Sequence, residues 1–159
     1  ESQLVKKGLT QFVLSAKSLP KLQFVLIGKW ADNSIEKLKS IAPPNVQFVG
    51  FIPEDQLVGW YQRAMVYCQL SLHEGFGIAL AEAMLCGCAP VVMNRTALPE
   101  VTGDTAVFIE DQNVETIVAA ITKAINSNNG QRARERVLAN FPMQKRELAL
   151  VRLINEVIN

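Results

Sequence analysis

The sequence of 159 residues is long enough for one domain with a substantial hydrophobic core. Its 16 basic and 15 acidic residues give a net charge of +1, which argues against a nucleic-acid-binding protein, because such a protein needs a basic surface. No apolar run approaches the roughly 20 residues that a membrane-spanning helix requires.

Short apolar runs alternate with amphipathic segments along the chain. Apolar residues spaced three or four positions apart predict helices, and short apolar runs bounded by Gly, Pro or Asn predict strands. The predicted elements are, in chain order, a helix over residues 8–19, a strand over 22–28, a helix over 34–41 with Ser34 as its N-cap, a strand over 46–51, a helix over 53–64, a strand over 65–71, a helix over 76–87, strands over 89–94 and 105–110, and helices over 113–126, 131–141 and 143–158.

This order of elements predicts an α/β domain. Strands that alternate with helices through short connections form a doubly wound, parallel, Rossmann-like sheet with helices on both faces, here followed by a helical C-terminus. The strands are continuous apolar runs, as burial on both faces requires. Such sheets bind ligands at the carboxyl ends of their strands, so the loop over residues 71–77 is the first place to look for a site.

The stretch "SLHEGFGIALAEAM" combines two glycines and two carboxylates at a helix start. Gly75 and Gly77 allow the backbone to approach a ligand, and the free amides from Gly77 to Ala79 favour an anion such as phosphate. Glu82, about 7–8 Å along the helix, could accept hydrogen bonds from a ribose. Glu74 would then face the group on the distal phosphate. The opposing interpretation is that Gly-x-Gly is common before helices and that a helical Glu is usually a surface residue.

The surrounding sequence, "HEGFGIALAEAMLCGCAPVVMNRTALPEVTGD", resembles the donor-binding segment of the retaining glycosyltransferases of family 4, which have the GT-B fold. The shared pattern is Glu-x-Phe-Gly, a second Glu after seven intervening residues, Ala-Met, a Gly, a Pro-Val-Val strand and a Leu-Pro-Glu-Val turn. Weaker similarity extends from Lys7 to about residue 125. The chain therefore resembles the C-terminal, donor-binding half of a GT-B enzyme.

The resemblance implies a role for each site residue. Glu74 would contact the donor sugar near the reaction centre, and Lys7 would neutralise the diphosphate leaving group, which makes these two the catalytic residues. Glu82 would hold the ribose hydroxyls, and the loop over residues 49–53 would lie near the nucleobase. No metal or other cofactor is expected. The donor-binding residues are Gly75, Phe76, Gly77, Ile78, Ala79, Glu82, Phe51 and Arg95.

The implied function is transfer of a hexose from a nucleotide-diphosphate sugar, GDP- or UDP-linked, to a glycan or lipid acceptor. Because the sequence begins with Glu1 rather than Met, we expect it to be part of a longer protein. The N-terminal acceptor domain is absent, and so is the family's first strand, which would leave a gap in the sheet between strands 22–28 and 65–71. We therefore expect residues 1–159 to form a single nucleotide-sugar-binding domain that is inactive alone.

The expected partners are the nucleotide-sugar donor and the enzyme's own N-terminal acceptor domain, with no nucleic acid. The expected location is the cytoplasm, and peripheral attachment to the inner membrane surface is left open. Three alternatives stand beside this function: a nucleotide-sugar epimerase on the same fold, a non-catalytic nucleotide-sugar-binding module, and a Rossmann module for a dinucleotide. The absence of Gly-x-Gly-x-x-Gly after an early strand counts against the last.

Several single residues allow two interpretations. His73 fits a loop residue near the pocket better than a base, because no Ser, Cys or Asp is placed as its partner. Arg95 could reach phosphate or be a solvated loop charge, and Glu100 could cap a turn or line the pocket. Three aromatic side chains, Trp30, Trp60 and Tyr61, could stack on a base. Helical spacing makes packing the better interpretation for Trp60 or Tyr61.

The cysteines predict free thiols in a reducing compartment. Cys68, Cys86 and Cys88 are odd in number and all lie in apolar segments. The Cys86-x-Cys88 pair lacks the second pair or nearby His that a zinc site would need.

Overall fold

The computed structural model of the chain describes residues 3–29 and 33–142. These residues form eight α-helices and five β-strands, with 3₁₀ turns at Ala16–Ser18 and Gly103–Thr105. The helices are α1 (Gln3–Lys6), α2 (Leu9–Ser15), α3 (Ser34–Ile41), α4 (Glu54–Arg63), α5 (Ile78–Leu85), α6 (Leu98–Thr102), α7 (Val114–Ile125) and α8 (Asn129–Asn140). The strands are β1 (Phe24–Ile27), β2 (Val46–Gly50), β3 (Val66–Gln69), β4 (Ala89–Met93) and β5 (Val107–Ile109).

The strands form two parallel sheets. β1 pairs with β2 in one sheet, and β4 lies between β3 and β5 in the other. The register places Val66 opposite Ala89 and Val91 opposite Val107. Within the described residues β1 and β3 do not pair, so the sheet is divided between them. This is the point at which the family resemblance predicts a missing strand.

Burial follows this topology. All five residues of β4 are buried, because the strand has a neighbour on each side and helices on both faces. The four residues of β3 are only half-buried, since β3 pairs with a strand on one side alone in the described part of the chain. The predicted two-sided burial therefore holds fully for the central strand of the three-stranded sheet.

Helices cover both faces of the strands. α2 packs against α3 and α7, whereas α5 packs against α4 and α8. Because α2 contacts both α3 and α7, it spans the division between the two sheets. Apolar side chains of α2 pack it in this position: Val13 is fully buried, and the ring of Phe12 lies 5.0 Å from that of Phe24 in β1.

The main core lies around the three-stranded sheet. Met93, Leu98 and Ile117 are fully buried there and belong to one continuous apolar cluster. Each fully buried side chain of this size stabilises the fold by about 1.5–3 kcal/mol. The helix predicted over residues 113–126 is confirmed as α7, and its Ile117 and Ile121, four positions apart, both face this cluster.

Two details differ from the sequence-based expectation. Asn33 is the N-cap of α3, and Ser34 is already its first helical residue, since Asn is as good an N-cap type as Ser. The expected turn at positions 98–101 is the short helix α6, whose Pro99 suits a helix start. Trp30 and the helix predicted over residues 143–158 lie outside the described residues. Among the helices described, none has the length and apolar character needed to cross a membrane.

Candidate functional site

The amino end of α5 follows the loop that leaves β3. Gly77 has a left-handed φ of 87° and immediately precedes the helix, and a Cβ there would lie 3.3 Å from a methyl carbon of Leu98. The first amide to bond within the helix is that of Ala81, which donates to the Gly77 carbonyl at 3.0 Å. The preceding helical amides, from Ile78 to Leu80, have no partner within the helix. Together with the helix dipole they favour an anion, which stays a prediction for this chain.

The amino-terminal segment docks on the carboxyl end of β3. The Leu72 amide donates to the Lys6 carbonyl at 2.9 Å. Gln112, in the loop after β5, donates its side-chain amide to the carbonyls of Val5, at 3.3 Å, and Leu70, at 2.6 Å. Three separate parts of the chain therefore meet at this sheet edge.

Gly8 makes this close approach feasible. It begins α2 with a left-handed φ of 67°, and a Cβ at this position would lie 2.7 Å from the Cβ of Leu70. Because glycine lacks that atom, α2 can begin directly against the end of β3. The neighbouring Lys7 is thereby placed beside the loop that carries Glu74.

Lys7 and Glu74 form an ion pair, although 67 positions separate them in the sequence. The Nζ of Lys7 lies 2.5 Å from Oε1 of Glu74, and the two side chains are 43% and 16% exposed. Partial burial would by itself raise the pKa of the Glu74 carboxyl. The hydrogen bonds from Lys7, Ser71 and Gln69 and the charge of Lys7 outweigh burial and lower that pKa below its ordinary value. The structure thus brings the two predicted catalytic residues together.

A row of polar side chains on β3 supports Glu74, and the sequence analysis missed it. Tyr67, Gln69 and Ser71 alternate along the strand and so share one face. The Tyr67 hydroxyl donates to Gln69 at 3.0 Å, and the Gln69 amide donates to the Ser71 hydroxyl and to Glu74 Oε1, both at 2.8 Å. The sequence does contain a signal for this row, because polar residues occupy every second position of "YCQLS". The sequence analysis interprets this segment as an apolar strand.

Thr96 holds the backbone of Glu74. Its hydroxyl accepts a hydrogen bond from the Glu74 amide at 3.2 Å. Thr96 is also the one non-glycine residue with a positive φ, 53°, in the described part of the chain. A β-branched residue rarely adopts this conformation, so the site contains a strained backbone position directly beside Glu74.

Glu82 lies in the second turn of α5. Its side chain is exposed, and Oε2 accepts a hydrogen bond from the Tyr61 hydroxyl of α4 at the long distance of 3.5 Å. Burial, followed by the charge of Glu82, raises the pKa of Tyr61 to about 12, so Tyr61 stays a neutral donor. Tyr61 therefore contacts one carboxylate oxygen of Glu82, while the side chain remains exposed to solvent.

The sequence matches the family of the glycosyl transferases group 1 over residues 2–140. The chain belongs to this family. The chain is 33% identical over 84 residues to the O-antigen chain mannosyltransferase B of Escherichia coli, a match that covers 53% of this chain and 22% of that protein. The family resemblance seen in the sequence is confirmed.

Solved structures confirm the fold of this group 1 glycosyltransferase chain. It is similar to a sucrose-phosphate synthase from Thermosynechococcus elongatus, with a TM-score of 0.85 and 24% identity over 97% of this chain and 43% of the other. It is also similar to Anabaena Alr3699/HepE, solved in complex with UDP and glucose, with a TM-score of 0.81 and 18% identity over 95% and 45%. The chain thus spans less than half the length of these proteins.

The glycosyltransferase chain exposes three large apolar side chains that are among the predicted donor-binding residues. Phe51, which follows β2, is 73% exposed, and Ile78 and Phe76 at the start of α5 are 69% and 40% exposed. Phe76 also packs its ring edge-on against Phe141, with 5.4 Å between centroids. Phe51 follows the two-stranded sheet, whereas Ile78 and Phe76 follow the three-stranded sheet, so the predicted donor-binding residues come from both.

Arg95 stands apart from the Lys7–Glu74 pair. Its guanidinium donates to the Glu110 carbonyl at 3.4 Å, and the neighbouring Asn94 donates to the Glu110 carboxylate at 2.7 Å. Glu110 follows β5, which lies on the opposite side of β4 from β3. Arg95 therefore leans away from the ion pair, and its predicted contact with phosphate stays untested.

The remaining candidates differ in their exposure. His73 and Glu100 are exposed, whereas Tyr61 is buried and its ring lies 5.9 Å from that of Tyr67. The guanidinium carbon of Arg63 lies over Trp60 in the same helix, 4.6 Å from the centroid of the Trp60 ring. The packing interpretation of Tyr61 is thus confirmed.

The cysteines are free thiols, as predicted. Burial raises the pKa of Cys68 to about 12 and that of Cys88 to about 11. The Cys88 thiol donates to the Tyr61 carbonyl at 3.2 Å. Residues 3–29 and 33–142 contain no cluster of three or more His, Cys, Asp or Glu side chains that could hold a metal ion.

Proposed function

We propose that the chain is the donor-binding half of a retaining glycosyltransferase that transfers a hexose from a nucleotide-diphosphate sugar to a glycan or lipid acceptor. The observation that carries this proposal is the Lys7–Glu74 ion pair beside the free amides that begin α5. A cation and a row of amides suit a diphosphate, and a carboxylate held next to the cation suits the sugar bonded to it. Membership of the group 1 family and similarity to a mannosyltransferase support the same class of reaction.

Lys7 would act on the leaving group. As the glycosidic bond breaks, negative charge grows on the diphosphate, and a nearby ammonium group stabilises that charge. In the structure Glu74 neutralises Lys7, and the 43% exposure of the Lys7 side chain leaves it accessible from solvent. The diphosphate would therefore compete with Glu74 for Lys7, which would leave the Glu74 carboxylate available to the donor sugar.

The nucleoside part of the donor would contact both sheets. Glu82, exposed on α5 and anchored by Tyr61, would accept hydrogen bonds from the ribose hydroxyls. The loop that contains the exposed Phe51 would lie along the nucleobase. A donor bound in this way would bridge the carboxyl ends of β2 and β3.

We also propose that the complete enzyme contains an acceptor domain and a strand that inserts between β1 and β3. The division of the sheet between these strands supports the second part, and the share of its relatives that the chain spans, 22% and 43%, supports the first. Lys7 and the α5 amides would serve in place of a metal ion. The three free cysteines fit a cytoplasmic enzyme.

Calorimetric titration of the chain with UDP, GDP, ADP and their sugars tests the proposal. We expect saturable binding of one nucleotide diphosphate, and we expect Lys7→Met to weaken it about ten- to a hundredfold, because charge-assisted hydrogen bonds contribute about 1.5–3 kcal/mol. Lys39→Met is the matched control. Lys39 also pairs with a glutamate, Glu36, at 2.9 Å, but on the exposed face of α3, so its loss should change the affinity less than about twofold.

Two results would contradict the proposal. One is binding of NAD with no binding of any nucleotide diphosphate, which would favour a dinucleotide module. The other is equal loss of affinity in the Lys7 and Lys39 variants, which would mean that Lys7 does not contact the diphosphate. Circular dichroism of each variant shows whether the fold is retained.

A further inference from the structure

Gln69 occupies an unusual place in the three-stranded sheet. It is the last residue of β3, half-buried, in a strand whose next residue, Leu70, belongs to the main core. Its amide group has a fixed orientation, because each of its atoms has a specific partner. The carbonyl oxygen accepts the Tyr67 hydroxyl at 3.0 Å, and the nitrogen donates to Ser71 and to Glu74, both at 2.8 Å.

The Tyr67 hydroxyl determines which end of the Gln69 amide points at Glu74. Burial raises the pKa of Tyr67 well above its ordinary value, so its hydroxyl keeps its proton and acts as the donor in this contact. A donor on that side requires the Gln69 carbonyl oxygen to face Tyr67. The two N–H groups must then face Ser71 and Glu74.

Glu74 Oε1 is shared between two donors, the Lys7 ammonium at 2.5 Å and the Gln69 amide at 2.8 Å. The two donors differ in mobility. Lys7 is 43% exposed at the end of a flexible side chain, whereas Gln69 is part of a strand and is held by its neighbours. If a diphosphate draws Lys7 away, Gln69 keeps its contact with the carboxylate.

We propose that Gln69 is a positioning residue for Glu74: together with Ser71 it holds the carboxylate in place and in its charged form while Lys7 exchanges between Glu74 and the diphosphate. The part of the proposal that concerns Lys7 exchange rests on the proposed function. The part that concerns the Glu74 carboxylate rests only on the hydrogen-bonded row Tyr67–Gln69–Glu74 and can be tested without a ligand.

The test is an NMR pH titration of the Glu74 side-chain carboxyl in the wild type and in Gln69→Met. Methionine keeps the length and shape of the side chain but removes the amide that donates to the carboxylate. We expect the pKa of Glu74 to rise, because the lost hydrogen bond favoured the charged form. The rise should be larger when Gln69→Met is added to Lys7→Met than when it is made alone, since of the three side chains that hydrogen-bond the carboxyl only Ser71 then remains.

Gln131→Met is the matched control. Gln131 also donates to a glutamate, Glu135, at 3.0 Å, but on the exposed face of α8, so its replacement should leave the titration of Glu74 unchanged. If Gln69→Met does not fold, Tyr67→Phe serves instead, because it removes only the hydroxyl that orients Gln69 and should shift Glu74 in the same direction by less.

A second measurement separates this proposal from the proposed function. UDP and GDP affinities of Gln69→Met should stay within about twofold of the wild type, because Gln69 contacts Glu74 and not the phosphates. Failure of the wild type to bind UDP, GDP or ADP would reject the proposed function and leave the titration as the deciding result for Gln69. A Glu74 pKa that is the same in wild type, Gln69→Met and Tyr67→Phe would overturn the positioning role.

Discussion

Gly8→Ala tests how the site is assembled from distant parts of the chain. At position 8 the φ of 67° and the 2.7 Å approach to the Leu70 Cβ both exclude a side chain. An alanine in the left-handed region costs about 1–2 kcal/mol. Forcing a methyl group into a packed contact costs about 1–3 kcal/mol more. The total loss in the free energy of unfolding should be about 2–5 kcal/mol.

Urea unfolding followed by circular dichroism measures this loss, and Gly87→Ala is the matched control. Gly87 also has a positive φ, 90°, but a Cβ there would meet no atom within 4 Å. Its replacement should therefore cost only the conformational part, about 1–2 kcal/mol. The difference between the two variants isolates the close contacts of position 8 with Leu70 and Gln112.

Gly8→Ala should also displace Lys7 and weaken the binding of UDP or GDP, whereas Gly87→Ala, which lies at the opposite end of the sheet, should not. The reasoning is refuted if the two alanine variants lose the same stability. It is also refuted if Gly8→Ala is the less stable variant but binds nucleotide as the wild type does.

Three further predictions concern the surroundings of the site. Thr96→Gly relieves the backbone strain at φ 53° and loses the hydrogen bond from the Glu74 amide, whereas Thr96→Ala loses only the hydrogen bond. The free energy of unfolding should therefore be about 1 kcal/mol higher for the glycine variant than for the alanine variant. Equal stabilities would mean that the backbone is not strained. Partial burial tends to raise the pKa of Glu74, but its interactions with Lys7 lower that pKa in the folded protein. The pair therefore stabilises the fold above the ordinary pKa of 4.5. This contribution to stability is lost as the pH falls through the lower pKa of the folded state. Lys7→Met should therefore reduce stability at pH 7 and not in strong acid, as urea unfolding at both pH values would show; an equal loss at both would count against the linkage. Iodoacetamide should alkylate Cys86 before Cys88, because Cys88 is buried and its burial raises the pKa of its thiol to about 11. Mass spectrometry identifies the modified cysteine, and modification of Cys88 first would contradict its burial.

The sequence predicted the elements of the fold well, because their signals are local. The continuous apolar run "APVVM" became the fully buried β4, and the apolar spacing of Ile117 and Ile121 became the inner face of α7. Ends of elements were less certain. Asn33 and Ser34 are equally suitable N-cap types, so the residue pattern alone could not decide where α3 begins.

The site was predictable only in part. The amides and carboxylates around Gly77 follow from a local motif, but Lys7 entered through a family resemblance, since no local pattern connects it with Glu74 67 positions away. Gln69 was missed because its strand was interpreted as apolar. Thr96 was missed because a left-handed threonine is a result of tertiary contacts, which no propensity reveals.

The central claim is that the amides opening α5 bind a pyrophosphate next to Lys7. Amide NMR spectra of the chain during titration with UDP and GDP test it most directly. The account predicts saturable shifts for the amides of Ile78 and Ala79 that are reduced in Lys7→Met. Shifts confined to the pocket of about 440 Å³ at the amino end of β2, lined by Ile41 and Pro44 among others, would contradict it, as would no shift at all.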